Sequence, residues 1–242
     1  MDTSECSVPG DRIAPACDSL FERCSWLYAF CREYLFRDHT PEITSALFPS
    51  ETSAAGTKLL ELGCGPGLYA CRFAKNFPKI TATGIDLSRP LLRRARTRAS
   101  NLHLQNCRFY EGDAQALKEL PQSVDAVIVS RLFLIIPDKT AVLAEIFRIL
   151  RPGGRCFIAE PTSGFRTRIP LGAMWLFARL TASPFTRYRE PQQAEIMPRA
   201  DFQALVNGPS WASVDMHYDD WYQYAVCQKS KTQSADQAGS NV

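Results

Sequence analysis

The segment Leu59–Leu68 contains residues that would let a small ligand come close to the main chain. Gly63, Gly65 and Gly67 alternate through this segment, and glycine has no Cβ and tolerates positive φ. The apolar residues before the first glycine predict a strand, and those after the last one predict a helix whose free N–H groups would face the ligand. A strand, a glycine turn and a helix in this order are typical of nucleotide-binding sites.

Two acidic segments follow at the ends of predicted strands. Asp86 lies about twenty residues after the turn, where a carboxylate can accept both hydroxyls of a ribose. Asp113 could accept from an adenine amino group while the N–H of Ala114 donates to a ring nitrogen. Each signal has a structural alternative: the glycines could form a structural turn, and either Asp could cap a helix, with Ser88 competing against Asp86. On consecutive strands the three signals together indicate a nucleoside pocket.

The turn differs from a dinucleotide-binding turn, which needs the pattern G-x-G-x-x-G. Position 68 is Leu, and Pro66 removes one N–H group from the cradle. Glu61 next to the turn would repel a pyrophosphate but suits a cationic ligand that carries an amino group.

Strand-like and helix-like segments alternate along the chain, which predicts an α/β fold with right-handed crossovers. We expect a three-layer sandwich with a doubly wound, seven-stranded, mainly parallel sheet that ends in a C-terminal antiparallel hairpin, as in Rossmann-like folds. The predicted strands are Thr57–Leu62, Ile80–Asp86, Cys107–Glu111, Val124–Ser130, Arg155–Glu160, Trp211–His217 and Trp221–Gln228. The predicted helices are Leu68–Asn76, Arg89–Ala99, Ala114–Leu120, Lys139–Leu150 and Arg199–Val206.

The composition argues against several classes of function. A net charge of +3 without a long basic run argues against a nucleic-acid partner. Nine cysteines without a C-x-x-C pair, and no cluster of carboxylates or histidines, predict no metal site. No apolar run reaches the roughly 18 residues of a transmembrane helix, and no signal peptide is visible, so we expect a cytoplasmic protein, either a monomer or a homodimer.

Four segments resemble the successive motifs of class I S-adenosylmethionine-dependent methyltransferases. They are Glu61–Gly67, Gly84–Ser88, Gly112–Ala114 and Leu150–Gly154, and the last is typical of the small-molecule branch of the family. The segment Phe21–Tyr28 is similar to the lid of quinone-biosynthesis and related C-methyltransferases, although Ala29 stands where that group usually has Asp. The chain therefore resembles the methyltransferase type 11 or quinone-biosynthesis-like group.

The resemblance implies S-adenosyl-L-methionine as the cofactor and S-adenosyl-L-homocysteine as the product. The residues that would hold the methionine part are Glu61, Gly63, Cys64, Gly65 and Gly67. Asp86 would bind the ribose, Leu87 would pack on the adenine, and Asp113 and Ala114 would contact its edge. Ser130 and Arg131, at the end of the fourth strand, would contact cofactor and substrate, although Arg131 replaces the more usual His or small residue.

The resemblance covers residues 18–229, which we expect to form a single domain between a flexible leader (1–17) and a disordered tail (230–242). Within it, residues 18–50 are predicted to be an N-terminal helical lid that includes Tyr28, and residues 161–198 an insertion over the substrate. Met174, Trp175 and Phe177 in this insertion indicate an apolar or aromatic substrate, and residues 169–182 are a candidate for weak contact with a membrane surface. The structural alternative is a helix that completes the core or a dimer interface.

Methyl transfer is an in-line displacement in which positioning supplies much of the rate, and a base helps only if the acceptor must lose a proton. The candidate catalytic residues are Arg131, Glu160, Tyr188 and His217, with solvation of a strand end as the alternative for Glu160 and a solvent-exposed turn for His217. We expect methyl transfer to a small molecule through an O, C or N acceptor. The alternatives are an inactive cofactor-binding or scaffold protein of the same fold and a nicotinamide-dependent oxidoreductase.

Overall fold

The computed structural model describes residues 30, 32–33, 37–48, 55–162 and 196–231. Within these ranges the strands are β1 (Lys58–Leu62), β2 (Thr81–Asp86), β3 (Cys107–Glu111), β4 (Val124–Ser130), β5 (Leu150–Pro161), β6 (Ser213–Tyr218) and β7 (Tyr222–Gln228). The helices are α1 (Thr40–Leu47), α2 (Leu68–Asn76), α3 (Arg89–Asn101), α4 (Lys139–Ile149) and α5 (Arg199–Val206).

The strands form one seven-stranded sheet in the order β3-β2-β1-β4-β5-β7-β6. The first five strands pair in parallel, and β7 runs antiparallel to both of its neighbours, β5 and β6. The strand order reverses between β1 and β4, which is the place where open parallel sheets bind ligands beyond their carboxyl ends. This topology confirms the predicted fold, including the C-terminal hairpin.

Helices cover both faces of the sheet, so the strands at its centre are apolar on both sides. On one face α1, α2 and α3 pack against the sheet through residues such as Ile43, Tyr69 and Leu92. On the other face α4 and α5 do so through residues such as Ile146 and Phe202. The result is the predicted three-layer sandwich.

The local sequence explains where the helices at the carboxyl ends of the strands begin. Gly67 takes positive φ directly before α2. Ser88 precedes α3, and its hydroxyl oxygen accepts a hydrogen bond from the N–H of Leu91. Asp138 caps α4 in the same way through the N–H of Ala141. Of the two candidates for the cap of α3, Ser88 is therefore the one used, which leaves Asp86 for other contacts.

The predicted helix Ala114–Leu120 is wrong, because this segment forms turns. The Asp113 carboxylate accepts from the N–H of Gln115, and Glu145 on α4 accepts from the N–H of Leu117 at 2.7 Å. Arg148, also on α4, donates to the carbonyl oxygens of Leu117 and Glu119. Backbone groups that would have bonded within a helix are thus bonded to α4 side chains instead.

The strand boundaries also differ at β5, which begins at Leu150 rather than at the predicted Arg155. Leu150 pairs with Val124, and the pairing resumes at Arg155 with Ala126 after an irregularity. The Arg-Pro-Gly-Gly segment therefore lies inside the paired strand, because the ladder accommodates it as a bulge-like insertion.

Several predictions concern residues outside the described ranges. These are the leader, the tail beyond residue 231, parts of the lid (18–50), most of the insertion (161–198) with its segment 169–182, and the residues Tyr28, Met174, Trp175, Phe177 and Tyr188. The domain boundaries likewise stay a prediction. Among the described residues, no helix has the length and apolar character to cross a membrane.

The packing of Gly84 generates a stability prediction. A Cβ at Gly84 would lie 2.6 Å from ring atoms of Phe109 and 2.8 Å from the sulfur of Cys64. Gly84→Ala should therefore lower the free energy of unfolding by about 1–3 kcal/mol, the usual cost of overpacking. In a Phe109→Val background, which removes the clashing ring, the same substitution should cost less in urea denaturation.

Gly56 is the control, because a Cβ there would have no neighbour within 4 Å. The cost of Gly56→Ala comes from its positive φ alone and should not depend on residue 109. Strict additivity of Gly84→Ala and Phe109→Val, within about 0.5 kcal/mol, would contradict the packing explanation.

Candidate functional site

The glycine turn between β1 and α2 has the left-handed backbone that its glycines allow. Gly63, Gly65 and Gly67 have φ values of 63°, 51° and 71°. A Cβ at Gly63 would lie 2.7 Å from Leu132, and one at Gly67 would lie 2.6 Å from Phe109. Both φ and space therefore require glycine at these two positions. The turn is held from one side by Leu132, in the loop after β4, and from the other side by Phe109 in β3.

Glu61 lies beneath this turn and binds the start of α2. One carboxylate oxygen accepts from the N–H of Ala70 at 2.8 Å, and the N–H of Tyr69 also contributes a hydrogen bond. Burial raises the pKa of Glu61 to about 7, although these two N–H groups act in the opposite direction. The N-terminus of α2 is thus already bonded to an acidic group of the protein.

Asp86, at the carboxyl end of β2, connects the glycine turn to α3. One of its oxygens accepts from the N–H of Gly65 at 2.8 Å, and the other accepts from the N–H of Ser88 at 2.8 Å. Burial raises the pKa of Asp86 above its usual value. Leu87, the next residue, is 63% exposed, so an apolar side chain stands at the surface beside this carboxylate.

The remaining residues assigned to the cofactor lie on the same edge. Asp113 and Ala114 lie two and three residues after the end of β3, and Ala114 is buried. Cys64 is also buried; its N–H donates to the carbonyl oxygen of Ile85, and burial raises the pKa of its thiol well above the usual value. The sheet therefore brings Glu61, Asp86 and Asp113 to the carboxyl ends of three adjacent strands, as the sequence predicted.

Ser130 ends β4 and Arg131 follows it, on the other side of the strand-order reversal, and both are buried. Arg131 has a φ of 60°, in the left-handed region, and its N–H donates to the carbonyl oxygen of Ala159 at 2.8 Å. Its guanidinium Nη1 donates to the hydroxyl of Tyr222 at 3.1 Å. The strained backbone of Arg131 is stabilised by a β5 carbonyl, and its side chain reaches β7.

Glu160 near the end of β5 is buried rather than solvated, which excludes the solvation alternative. Its Oε1 accepts from the N–H of Phe133 at 2.9 Å, and the N–H of Leu132 also bonds to it. Leu132 is the residue that packs against Gly63. Through this loop, Glu160 acts on the position of the glycine turn.

His217 lies in β6 instead of a turn, and its exposed ring stacks on Tyr224 at 4.7 Å. Because β6 is four strands from β1, the two are separated by roughly 19 Å at the usual spacing of about 4.8 Å per strand. The structure therefore does not bring His217 together with the glycine turn.

His39 is a residue that the sequence interpretation missed. It is fully buried directly before α1, and its N–H donates to the hydroxyl of Tyr69 at 3.1 Å. Its ring meets the ring of Tyr222 edge-on, with the centroids 4.8 Å apart. The sequence His39-Thr40-Pro41 marks a helix start, but nothing local shows that this ring reaches β7.

Ion pairs attach the segment around His39 to neighbouring elements of the fold. Arg37 pairs with Glu42 at 2.7 Å and with Asp219 in the turn between β6 and β7. Asp38 pairs with Arg72 on α2. A short described piece further upstream adds a pair between Glu33 and Arg98 on α3. These contacts tie this part of the chain to α2, to α3 and to the turn between β6 and β7.

The buried acids generate a pH prediction. Burial raises the pKa of Glu160 to about 8 and that of Glu61 to about 7, from 4.5. Between these values and 4.5 the folded protein binds more protons than the unfolded chain, so its free energy of unfolding falls as the pH rises. The stabilisation that comes from protonated Glu61 and Glu160 is complete below about pH 4.5, and it is lost as the pH rises to about 8.

Urea denaturation between pH 5 and pH 8 measures this dependence. Glu160→Gln keeps the acceptor oxygen for Phe133 without the titrating proton, so its stability should fall less steeply over the same range. An identical slope in the wild type and in Glu160→Gln would contradict the raised pKa of Glu160.

The sequence matches a known family and several characterised proteins. The profile of a methyltransferase domain matches residues 53–204. Trans-aconitate 2-methyltransferase of Deinococcus radiodurans is 33% identical over 118 residues, which are 49% of this chain and 42% of that protein. A ubiquinone/menaquinone biosynthesis C-methyltransferase of Desulfotalea psychrophila is 32% identical over 105 residues, which are 43% of this chain and 42% of that protein. The matches thus span less than half the length of these curated relatives.

Solved structures agree on the fold. A SAM-dependent methyltransferase of Methanosarcina mazei has a TM-score of 0.56 at 19% identity, covering 80% of this chain and 99% of that one. The Haemonchus contortus phosphoethanolamine N-methyltransferase 2 in complex with S-adenosyl-L-methionine has a TM-score of 0.66 at 15% identity, covering 90% of this chain and 61% of that one. Because the family profile covers more than half of the sequence, this chain belongs to the methyltransferase-domain family, with the fold of the class I S-adenosylmethionine-dependent methyltransferases.

Proposed function

We propose that this protein transfers the methyl group of S-adenosyl-L-methionine to a small molecule. The observation that carries this proposal is the contact between Glu61 and the start of α2. A pyrophosphate at this place would need the free N–H groups of the helix, but those of Tyr69 and Ala70 already bond to a carboxylate. An ammonium group, by contrast, is attracted by the same carboxylate and shifts it to its ionised form.

The other residues of this edge fit the rest of the same cofactor. Asp86 ends β2 with a carboxylate that can accept the two ribose hydroxyls, and the exposed Leu87 offers an apolar surface for an adenine ring. Asp113 and Ala114 follow β3, where a carboxylate and an N–H group match the polar edge of the ring. The bound cofactor would supply an electrophilic methyl group with a neutral leaving group.

The contribution of this chain to such a reaction is orientation. The φ values of the glycines and the contacts of Leu132 and Phe109 give the turn one geometry, which fixes where a ligand can lie. Holding donor and acceptor in line contributes much of the acceleration in reactions of this type. Both curated relatives described above carry names of small-molecule methyltransferases, which supports a small acceptor for this chain as well.

Calorimetric titration and labelled turnover test the proposal. We expect S-adenosyl-L-homocysteine to bind with micromolar affinity and NAD not to bind. Incubation of cell extracts with deuteromethyl-labelled cofactor should give small molecules that are heavier by one labelled methyl group in mass spectrometry. Binding of NAD without S-adenosyl-L-homocysteine would overturn the proposal. Cofactor binding without any methylated product would favour an inactive binding protein.

Asp86 is predicted to be essential for cofactor affinity. Asp86→Ala should weaken the binding of S-adenosyl-L-homocysteine by more than about 1 kcal/mol, because a charged acceptor of hydrogen bonds is removed. The control is Asp125→Ala, because Asp125 accepts from the N–H of Lys58 and from Arg151 at the opposite end of the strands. This control should change stability but not affinity in calorimetry, and unchanged affinity in folded Asp86→Ala would refute the ribose assignment.

Glu61 is predicted to release a proton when the cofactor binds. At pH 6.5 a group with a pKa of about 7 is mostly protonated, and an ammonium ligand would ionise it, releasing roughly 0.8 proton per site. Titrating S-adenosyl-L-homocysteine in buffers with different ionisation enthalpies measures this number. Glu61→Gln should abolish the release and Glu160→Gln should keep it. Equal enthalpies in all buffers for the wild type would contradict the prediction.

A further inference from the structure

Two buried oxygen atoms near the carboxyl end of β5 lack a hydrogen-bond partner in the part of the chain that the structure describes. They are Oε2 of Glu160 and Oε1 of Gln223, and both side chains are almost completely shielded from solvent. A buried polar atom without a partner lowers the stability of a protein, and native structures keep few of them. The two oxygens therefore need an explanation.

The side chains of Glu160 and Gln223 lie directly opposite each other. Glu160 on β5 pairs with Gln223 on β7 in the antiparallel register. Opposite residues in such a pair point to the same face, with their Cβ atoms about 4.5–5.5 Å apart. Glu160 continues the alternation of Ile158, and Gln223 continues that of Ala225, so both point to the face covered by α4 and α5. Side chains of this length can meet at their ends.

The other polar atoms of the two side chains are already bonded. The Gln223 Nε2 donates to the carbonyl oxygen of Met197 at 2.8 Å. Because this carbonyl needs a donor, the amide nitrogen faces it, and the amide oxygen is the atom that is left over. The Glu160 Oε1 accepts from the N–H of Phe133 at 2.9 Å. Both unpaired atoms are therefore acceptors, and an ionised Glu160 would have no hydrogen to place between them.

A proton on Glu160 satisfies both oxygens. A carboxylic acid has one O–H donor, which Oε2 can direct at the amide oxygen of Gln223. Burial raises the pKa of Glu160 to about 8, although Arg131 and Lys139 act in the opposite direction, so the acid is mostly protonated at neutral pH. A cation between the two oxygens would satisfy them as well, but the positive charges of Arg131 and Lys139 oppose it.

The loop after β4 is attached to the end of β5 by three successive N–H groups. The N–H of Arg131 donates to the carbonyl oxygen of Ala159 at 2.8 Å. The N–H groups of Leu132 and Phe133 bond to the carboxyl group of Glu160. Two of these three attachments thus depend on one side chain.

The same loop forms one wall of the glycine turn. A Cβ at Gly63 would lie 2.7 Å from Cδ1 of Leu132, so this leucine packs closely against the turn. Glu160 itself points to the opposite face from Glu61, which follows Leu59 at alternate positions. Glu160 therefore acts on the turn through Leu132 and not by direct contact with a ligand.

We propose that Glu160 is a positioning residue for the cofactor turn and that it acts as an uncharged acid hydrogen-bonded to Gln223. This inference rests on the proposed function, because the turn is the proposed cofactor site. The bond to Gln223 holds the carboxyl group, and the carboxyl group holds the N–H groups of Leu132 and Phe133. The Leu132 side chain then fixes Gly63. Loss of the proton leaves two acceptor oxygens opposite each other, which loosens this series of contacts.

Infrared spectroscopy of the full chain tests the shared proton. The C=O stretch of a protonated carboxyl group is separate from the bands of an ionised one. The difference between the spectra of the wild type and Glu160→Gln at neutral pH should therefore contain a protonated carboxyl band. In Gln223→Leu, where the O–H group has lost its acceptor, this band should move to higher frequency. Carboxylate bands alone, or a band that Gln223→Leu does not move, would overturn the inference.

Calorimetric titration with S-adenosyl-L-homocysteine tests the positioning role. Glu160→Leu removes the acceptor for two N–H groups of the loop, so its affinity should fall by at least about tenfold. Glu160→Gln keeps an acceptor oxygen for Phe133 and supplies an N–H donor for Gln223, so its affinity should stay close to that of the wild type. Unchanged affinity in folded Glu160→Leu would overturn this inference and leave the proposed function intact, whereas no binding by the wild type would overturn both.

The matched control is Asp125→Leu. The Asp125 carboxylate also accepts from a backbone N–H, that of Lys58, but at the opposite end of the strands. This control should lower stability and leave the affinity unchanged. A similar loss of affinity in Asp125→Leu and Glu160→Leu would show a merely structural effect and overturn the positioning role.

A pH series remains informative if Glu160→Leu does not fold. The Glu160→Gln variant cannot lose the proton, so the ratio of wild-type to Glu160→Gln affinity isolates this group from the other titrating groups. The ratio should be constant from about pH 6 to pH 7 and fall by at least about threefold at pH 9, where Glu160 is mostly ionised. A constant ratio over the whole range would contradict a role for the uncharged acid.

Discussion

The contact between the Glu61 carboxylate and the first turn of α2 sets the character of the whole site. It satisfies helix N–H groups that would otherwise face a ligand, and it places an acidic group where related α/β folds bind phosphate. The glycine turn above it is then held by Leu132 and Phe109 and tied to Asp86 through the N–H of Gly65. The turn, two strand ends and a helix start are therefore one connected unit organised around a buried acid.

Contacts outside this unit extend its influence along the edge of the sheet. Glu160 bonds to the loop that contains Leu132, so a residue near the end of β5 bears on a glycine between β1 and α2. Tyr69 follows the turn in α2 and accepts from the N–H of His39, which joins the segment before α1 to the same region. The two sides of the strand-order reversal are thus coupled by direct hydrogen bonds and packing rather than by sequence proximity.

The features that could be predicted from the sequence are those fixed by local residues. The glycines, Asp86 and Ser88 define turns and helix starts within a few residues of themselves, so the strand ends and the cofactor edge were predictable. The failed helix Ala114–Leu120 shows the limit, because the backbone of that segment is bonded to side chains of α4. His39 shows the same limit. The burial of its ring depends on a contact with β7, and no sequence pattern around residue 39 encodes that contact.

The charge distribution along this edge follows from the same long-range contacts. Glu61, Asp86 and Asp113 make the side over β1, β2 and β3 acidic, while Arg131 gives the side over β4 and β7 a positive charge. A sulfonium donor bound over β1, β2 and β3 would lie against groups of opposite charge, and methyl transfer removes the charge of its sulfur. The attraction of this side is then weaker for the demethylated cofactor than for the methyl donor, because a neutral sulfur gains less from these charges. The arrangement thereby favours release of the demethylated cofactor after transfer.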